Sequence, residues 1–148
     1  MARISTDGSI VVNAPVDVCV AAIKDIVGEG EWIKELKSIE AVEHYDDGLV
    51  KKAKLTVDIV KLGSDTYFNE YEYGPNEMRY RTTESSLQKE QFGAYKVKDN
   101  GDGTSTFSVE ITVEARVPTP AFVLKPITNT VMKGTLTAFK EWVETSRV

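Results

Sequence analysis

The sequence holds one cysteine and one histidine in 148 residues. Cys19 has no second cysteine for an internal disulfide, which fits a reducing compartment and gives the expectation of a cytoplasmic protein. Cys19 and His44 together fall short of the four ligands of a zinc site, and no loop has Ca²⁺-binding spacing. Only a metal built on carboxylates is left open, so neither metal nor cofactor is expected. There is no G-x-S-x-G, no P-loop and no dinucleotide fingerprint. No apolar run approaches the roughly 20 residues that span a bilayer, and residues 1–7 lack the apolar core of a signal peptide. Positive charge is not in excess either. A net charge of −5 disfavours a nucleic-acid backbone or an anionic membrane surface as partner. Low-complexity tracts, internal repeats and linkers are also missing, so residues 1–148 are expected to form one domain.

What is present is an ordinary globular composition, 41% hydrophobic and 28% charged, in a chain long enough to bury a core. The run 119–146 reads as one long amphipathic helix, with Pro126 as the place where it would bend. At 100° per residue, Leu124, Ile127, Thr128, Val131, Thr135, Ala138 and Trp142 share one stripe. Lys125, Lys133, Lys140 and Glu144 lie opposite. Pro118 and Pro120 precede the start, where a missing N–H costs little. The inward middle is expected to carry small residues (Thr128, Gly134, Thr135, Ala138). Either they let the helix sit close to a sheet, or the helix roofs a cavity.

Residues 4–12 read as a strand, and Asn13-Ala14-Pro15 as the start of a helix whose apolar face is Val16, Cys19, Val20, Ile23 and Val27. Cys19 on that face is expected to be a small core side chain. Gly28 and Gly30 would end this helix, and a short second one would hold 32–36. From Lys37 the period changes to two. Turn signals at Asp46-Asp47-Gly48, Leu62-Gly63-Ser64, Gly74-Pro75-Asn76 and Asn100-Gly101-Asp102-Gly103, with a weaker break at Glu84-Ser85-Ser86, divide the chain into strands 38–46, 49–60, 65–73, 77–84, 87–98 and 104–116. Ala53, Leu55, Val57 and Ile59 alternate with polar residues, as do Phe107, Val109, Ile111 and Val113. One face of an antiparallel meander is therefore apolar, and the long helix must cover it. The fold class is α+β.

In the middle strands the inward positions are Tyr67, Asn69, Tyr71 and Tyr73, then Met78, Tyr80 and Thr82, then Gln91, Gly93, Tyr95 and Val97. Phenol and amide groups on an otherwise aliphatic face need partners, from each other, from water or from a ligand. The alternatives are an edge where the tyrosines reach solvent, or a register displaced by one. Gly93 inside a strand suggests a bulge or bend. Trp32 is either a core plug or part of a cavity mouth. His44, beside a hairpin turn, is expected to be exposed, and Asp58 and Glu90 to be surface charges.

The order of elements resembles the helix-grip fold of the START-like, Bet v 1-like (SRPBCC) superfamily: a curved antiparallel sheet of about seven strands around a long C-terminal helix, with two short helices after the first strand. The stretches that carry the resemblance are Asn-Ala-Pro-Val-Asp-Val at 13–18, Asp25 with Glu31-Trp32-Ile33-Lys34-Glu35-Leu36-Lys37-Ser38-Ile39, the run Lys89-Glu90-Gln91-Phe92-Gly93-Ala94-Tyr95, and the proline-led entry from Val117 to Leu124. The branch it is most similar to is that of polyketide cyclase/dehydrase and lipid transport proteins. The resemblance implies a cavity for a small hydrophobic molecule (lipid, isoprenoid or polyketide-like) and leaves the activity open. The site expected is Val131, Thr135 and Ala138 of the helix facing Asn69, Tyr71, Tyr80, Gln91 and Tyr95, with Trp32 near the entrance. Three functions stay open: carrier or binder, cyclase/dehydrase-type enzyme, and protein-contact domain. The sequence does not give an oligomeric state.

Overall fold

A computed structural model describes residues 3–59, 63–116 and 118–147. The sequence expectations at Val60, Leu62 and Val117 lie outside the described residues. Strand β1 (Arg3–Val12) is followed by helices α1 (Val16–Lys24) and α2 (Glu29–Trp32). Six strands come next: β2 (Leu36–His44), β3 (Val50–Ile59), β4 (Gly63–Gly74), β5 (Glu77–Thr83), β6 (Gln88–Asp99) and β7 (Ser105–Ala115). Helix α3 (Ala121–Ser146) ends the chain. The seven strands form one curved antiparallel sheet in the order β1-β7-β6-β5-β4-β3-β2, the helix-grip arrangement. Each expected strand is present, because each turn carries residues that can make it. Gly48, Gly63, Gly101 and Gly103 all have φ near +90°. The weak break at 84–86 is a built corner. Glu84 is held at φ 61°, and the buried Asp65 carboxylate accepts from Ser86 N (3.1 Å), Ser86 Oγ (2.8 Å) and the Ser85 hydroxyl. Arg116 donates to the Ser85 carbonyl from the far side (Nη2, 2.9 Å).

The alternation sets the faces as read. Ala53, Leu55, Val57, Phe107, Val109 and Ile111 are buried. In the tyrosine-rich strands the register places Tyr71 opposite Tyr80 and Tyr80 opposite Gly93, all on the inner face. Gly93 is there because nothing larger fits: a Cβ would lie 2.3 Å from the Glu110 carbonyl oxygen and 2.9 Å from the Tyr80 ring. Cys19 is fully buried beside Ser105 and Ala14, its thiol pushed up by burial. His44 is exposed. Asp58 and Glu90 lie partly exposed in ion pairs with Lys37 and Arg3.

Several local expectations differ. Asn13 does not cap α1 with its side chain. Pro15 is the N-cap residue, and the Asn13 N–H donates to Glu144 of α3 (2.8 Å). Val27 of the expected α1 face is half exposed, and Ala22 and Ile26 are buried in its place. The second helix begins at Glu29 rather than Trp32, and Leu36 opens β2. Pro126 lies within α3, where its missing N–H leaves the Phe122 carbonyl without that bond.

The largest correction concerns the phase of α3. Its buried side chains are Leu124, Thr128, Met132, Leu136, Phe139, Trp142 and Val143, and Gly134 is exposed. Val131, Thr135 and Ala138 are only half-buried. The helix faces two surfaces at once, so its apolar arc is wider than a single stripe. Close approach to the sheet is provided by the strand, not the helix: a Cβ on Gly8 would lie 2.6 Å from Met132 Sδ. Lys140 and Glu144, expected in water, latch the helix to the end of β1 instead. Lys140 Nζ donates to the Val11 carbonyl (2.8 Å) and to Glu144 (2.6 Å).

Gly93→Ala should destabilise the protein by about 2 kcal/mol or more, since backbone rather than a flexible side chain blocks the new methyl. Urea unfolding checks this, and an unchanged midpoint would show that β6 and β7 can part without cost.

Candidate functional site

Between the sheet and α3 lies a cavity of about 120 Å³. Its floor is the inner face of the middle strands: Tyr67, Asn69 and Tyr71 of β4, Met78 and Tyr80 of β5, Gln91 and Tyr95 of β6. Leu55, Val57 and Ile111 add aliphatic wall, and Val131 and Thr135 of α3 form the roof. Thr135 has its hydroxyl bonded back to the Val131 carbonyl (2.9 Å), so it brings no free donor to the interior. Of the expected site residues, the structure brings Asn69, Tyr71, Tyr80, Gln91, Tyr95, Val131 and Thr135 together around this space.

Trp32 and Ala138 do not line it. Ala138 is half-buried against the core. Trp32 is a core plug, 7% exposed, stacked on Trp142 (centroids 5.9 Å) and edge-on to Phe139 (5.4 Å). Phe139 in turn stacks on Phe107 at 3.8 Å, and Tyr95 meets Phe107 at 5.5 Å. This aromatic cluster closes one end of the cavity, and Tyr95 belongs to both. Each such pair adds about 0.5–1.5 kcal/mol beyond area burial.

Some polar tips on the floor satisfy one another. Thr82 Oγ1 donates to Asn69 Oδ1 (2.7 Å) and Gln91 Nε2 to Tyr80 Oη (2.8 Å). Tyr71 Oη and Gln88 Oε1 are buried with no hydrogen-bond partner among the described residues. The Asn69 side chain approaches the Tyr71 hydroxyl closely enough to lower its pKa, but the contact falls short of hydrogen-bond geometry. Burial dominates and holds the Tyr71 and Tyr95 phenols well above their ordinary range; Tyr80 is pushed up to about 12.

Glu29 was not anticipated. It is the first residue of α2, 5% exposed, and lines the cavity. Burial, and next the Asp25 carboxylate, push its carboxyl up to about 8. The available sequence signal is its spacing of three from Trp32, which puts it on the buried face of the same turn. Glu35, Tyr67 and Gln88 also line the cavity without having been assigned to it. A larger hollow of about 570 Å³ lies on the outer face of the sheet, open to solvent. There Glu70 opposes Arg81 and Glu72 opposes Arg79 across β4 and β5, so it reads as a charge-balanced surface. No group of three or more His, Cys, Asp or Glu among the described residues could hold a metal. No helix among them is long and apolar enough to cross a membrane.

In the unfolded chain Glu29 ionises near 4.5, and in the folded protein near 8. Between those values the native state keeps a proton that the unfolded state has lost, so stability falls as pH rises, by about tenfold in the folding constant per unit. Glu29→Gln should remove that slope, so that its stability relative to the parent chain increases from pH 5 to pH 8. Parallel slopes in urea titrations at these pH values would mean that the carboxyl is not desolvated.

No curated protein matches this sequence. Solved structures are similar in fold. A START superfamily protein from Mycobacterium smegmatis is 18% identical, with a TM-score of 0.88 over 95% of this chain and 97% of that one. The ZhuI aromatase/cyclase from Streptomyces sp. R1128 is 14% identical, with a TM-score of 0.83 over 97% and 94%. A protein from Thermus thermophilus is 15% identical, with a TM-score of 0.80 over 98% and 100%. At these identities the likeness is one of fold. The sequence itself matches the family described as polyketide cyclase / dehydrase and lipid transport over residues 3–144. With the helix-grip fold and an interior cavity beneath α3, the chain belongs to that family.

Proposed function

We propose that this protein binds a small, largely apolar molecule in the cavity beneath α3 and orients it through a few hydrogen bonds. The observation that carries the reading is an interior space with apolar walls and two buried polar tips, Tyr71 Oη and Gln88 Oε1, that have no partner among the described residues. Buried polar groups are mostly paired, and of the four unpaired ones among the described residues these two line the cavity while the Trp32 and Trp142 indoles do not, so the two tips suit a ligand that brings complementary groups. Size narrows the class. A cavity of roughly 150 Å³ holds one benzene ring, so about 120 Å³ suits a molecule of about five or six non-hydrogen atoms. A long lipid or an extended polyketide would need α3 to move.

The cyclase/dehydrase reading draws on the same Tyr71 hydroxyl, a free donor that can polarise a carbonyl. It requires turnover of a short poly-β-carbonyl mimic, lost in Tyr71→Phe as well as in Tyr95→Phe or Asn69→Ala. The protein-contact reading draws on Phe122, 80% exposed at the start of α3 with Val123 beside it.

For the binding reading, titration of the protein with isobutanol should shift the backbone NMR signals of the strands around Tyr71 and Tyr95. Thr135→Trp should keep the fold by circular dichroism and abolish those shifts, because the indole fills the roof of the cavity. Shifts that persist in the folded variant would place the binding elsewhere. Native mass spectrometry of freshly purified protein would then identify any natural occupant.

A further inference from the structure

The cavity wall is electrostatically one-sided. Among the described residues that line it there is no lysine, arginine or histidine, whereas Glu29 and Glu35 bring carboxyls. Glu29 is buried, and its carboxyl has no hydrogen-bond or ion-pair partner among the described residues. The nearby base is already committed: Arg147, at the end of α3, pairs with Asp25 and lies over the Trp142 ring. Buried carboxylates persist when a cation or strong donors answer them. Here no cation answers it on the cavity wall, and Tyr67, Tyr71, Tyr80 and Tyr95 line the same cavity. Phenol groups gathered around one carboxyl suit an ammonium ion, which donates to hydroxyl oxygens and is neutralised by the acid. A fatty-acid carboxylate would find no cation on this wall to answer it.

We infer that the molecule bound in this cavity is a small organic amine, whose ammonium group pairs with Glu29 and whose apolar body packs under Val131 and Thr135. This rests on the cavity-binding reading above and names the ligand class for it.

The groups that face Glu29 set its behaviour. They are Asp25 from the α1–α2 connection, Glu35 from the connection into β2 on the same cavity wall, Tyr67, Tyr71 and Tyr73 of β4, Tyr80 of β5 and Tyr95 of β6. From α3 the charged neighbour is Arg147, acting through Asp25. The phenols are all raised and stay neutral at physiological pH, so Glu29 is the group that titrates. With its carboxyl near 8, free Glu29 is mostly protonated at pH 7. An alkylammonium entering from water displaces that proton: acid plus ammonium gives a carboxylate–ammonium pair and one proton released to solvent. Affinity should therefore rise about tenfold per pH unit up to about 8 and fall again above the amine's own pKa near 10.

The test uses isobutylamine against isobutanol, matched in size, by calorimetric titration at pH 6, 7 and 8 in phosphate, with the pH 7 titration repeated in MOPS, neither buffer being a primary amine. The expected result is an amine bound at least about tenfold more tightly than the alcohol at pH 8, with close to one proton released at pH 7. In Glu29→Gln the amine should bind no more tightly than the alcohol does in that variant. An amine bound no better than the alcohol by the parent chain, or bound without proton release, overturns the inference while leaving the cavity reading intact. Binding of neither compound overturns both. The proton release is read on the parent protein, so the test stands even where the variant fails to fold.

Discussion

Phe139 rests against Phe107 with ring centroids 3.8 Å apart, and the rest of the molecule is arranged by that contact. It fixes the C-terminal half of α3 to the sheet, and Trp32 and Trp142 stack beside it so that α2 is drawn into the same cluster. Lys140 and Glu144 tie the outer side of this half to the end of β1. Further along, Met132 and Leu136 descend onto Gly8, while Val131 and Thr135, one residue earlier in each case, turn toward the middle strands. The helix is thus held along one edge and at one end. What it spans without touching becomes the cavity.

The interior behind that helix carries a thermodynamic cost that a plain core would avoid. Tyrosine and amide tips sit where leucines would pack, two of them lack partners, and a carboxyl is kept out of water next to another carboxyl. The rigid parts offset this. Phe107, Val109, Phe139 and Val143 are almost wholly buried, and the Asp65 corner with Ser85, Ser86 and Arg116 is fully bonded. Close packing is concentrated at the aromatic end and the outer turns, although the Trp32 and Trp142 indole N–H groups there also lack partners among the described residues.

Much of this was legible in the residues. Strand limits were readable because Gly and Asn sit where the backbone needs them, and the inner register of Tyr71, Tyr80 and Tyr95 followed from strict alternation. The phase of α3 was misread because the pattern was fitted to one stripe, whereas the helix meets β1 and β7 on one side and the chamber on another. Trp32 could not be placed, since its stacking on Trp142 joins residues far apart in the chain. Glu29 was passed over for a related reason, its spacing from Trp32 being a weak signal. Between two glycines, in a short acidic stretch, it reads as a solvated charge. Its burial comes from the three strands of tyrosines that fold over it later in the sequence.

The order of the strands also governs how the chain reaches this state. β1 precedes every other strand in the chain, yet it lies beside β7, where Val12 pairs with Ser105 and Arg3 with Glu114, and beneath α3, whose Met132 and Leu136 cover Gly8. Until the whole meander has formed, Ile4 and Val12 have neither an edge to join nor a roof. Contacts this distant in sequence close slowly, and an unpaired apolar strand is prone to find the wrong partner in the meantime. On the ribosome, the strand that emerges ahead of the other six is therefore the last to be sheltered, and the cell's holding machinery has its longest task there.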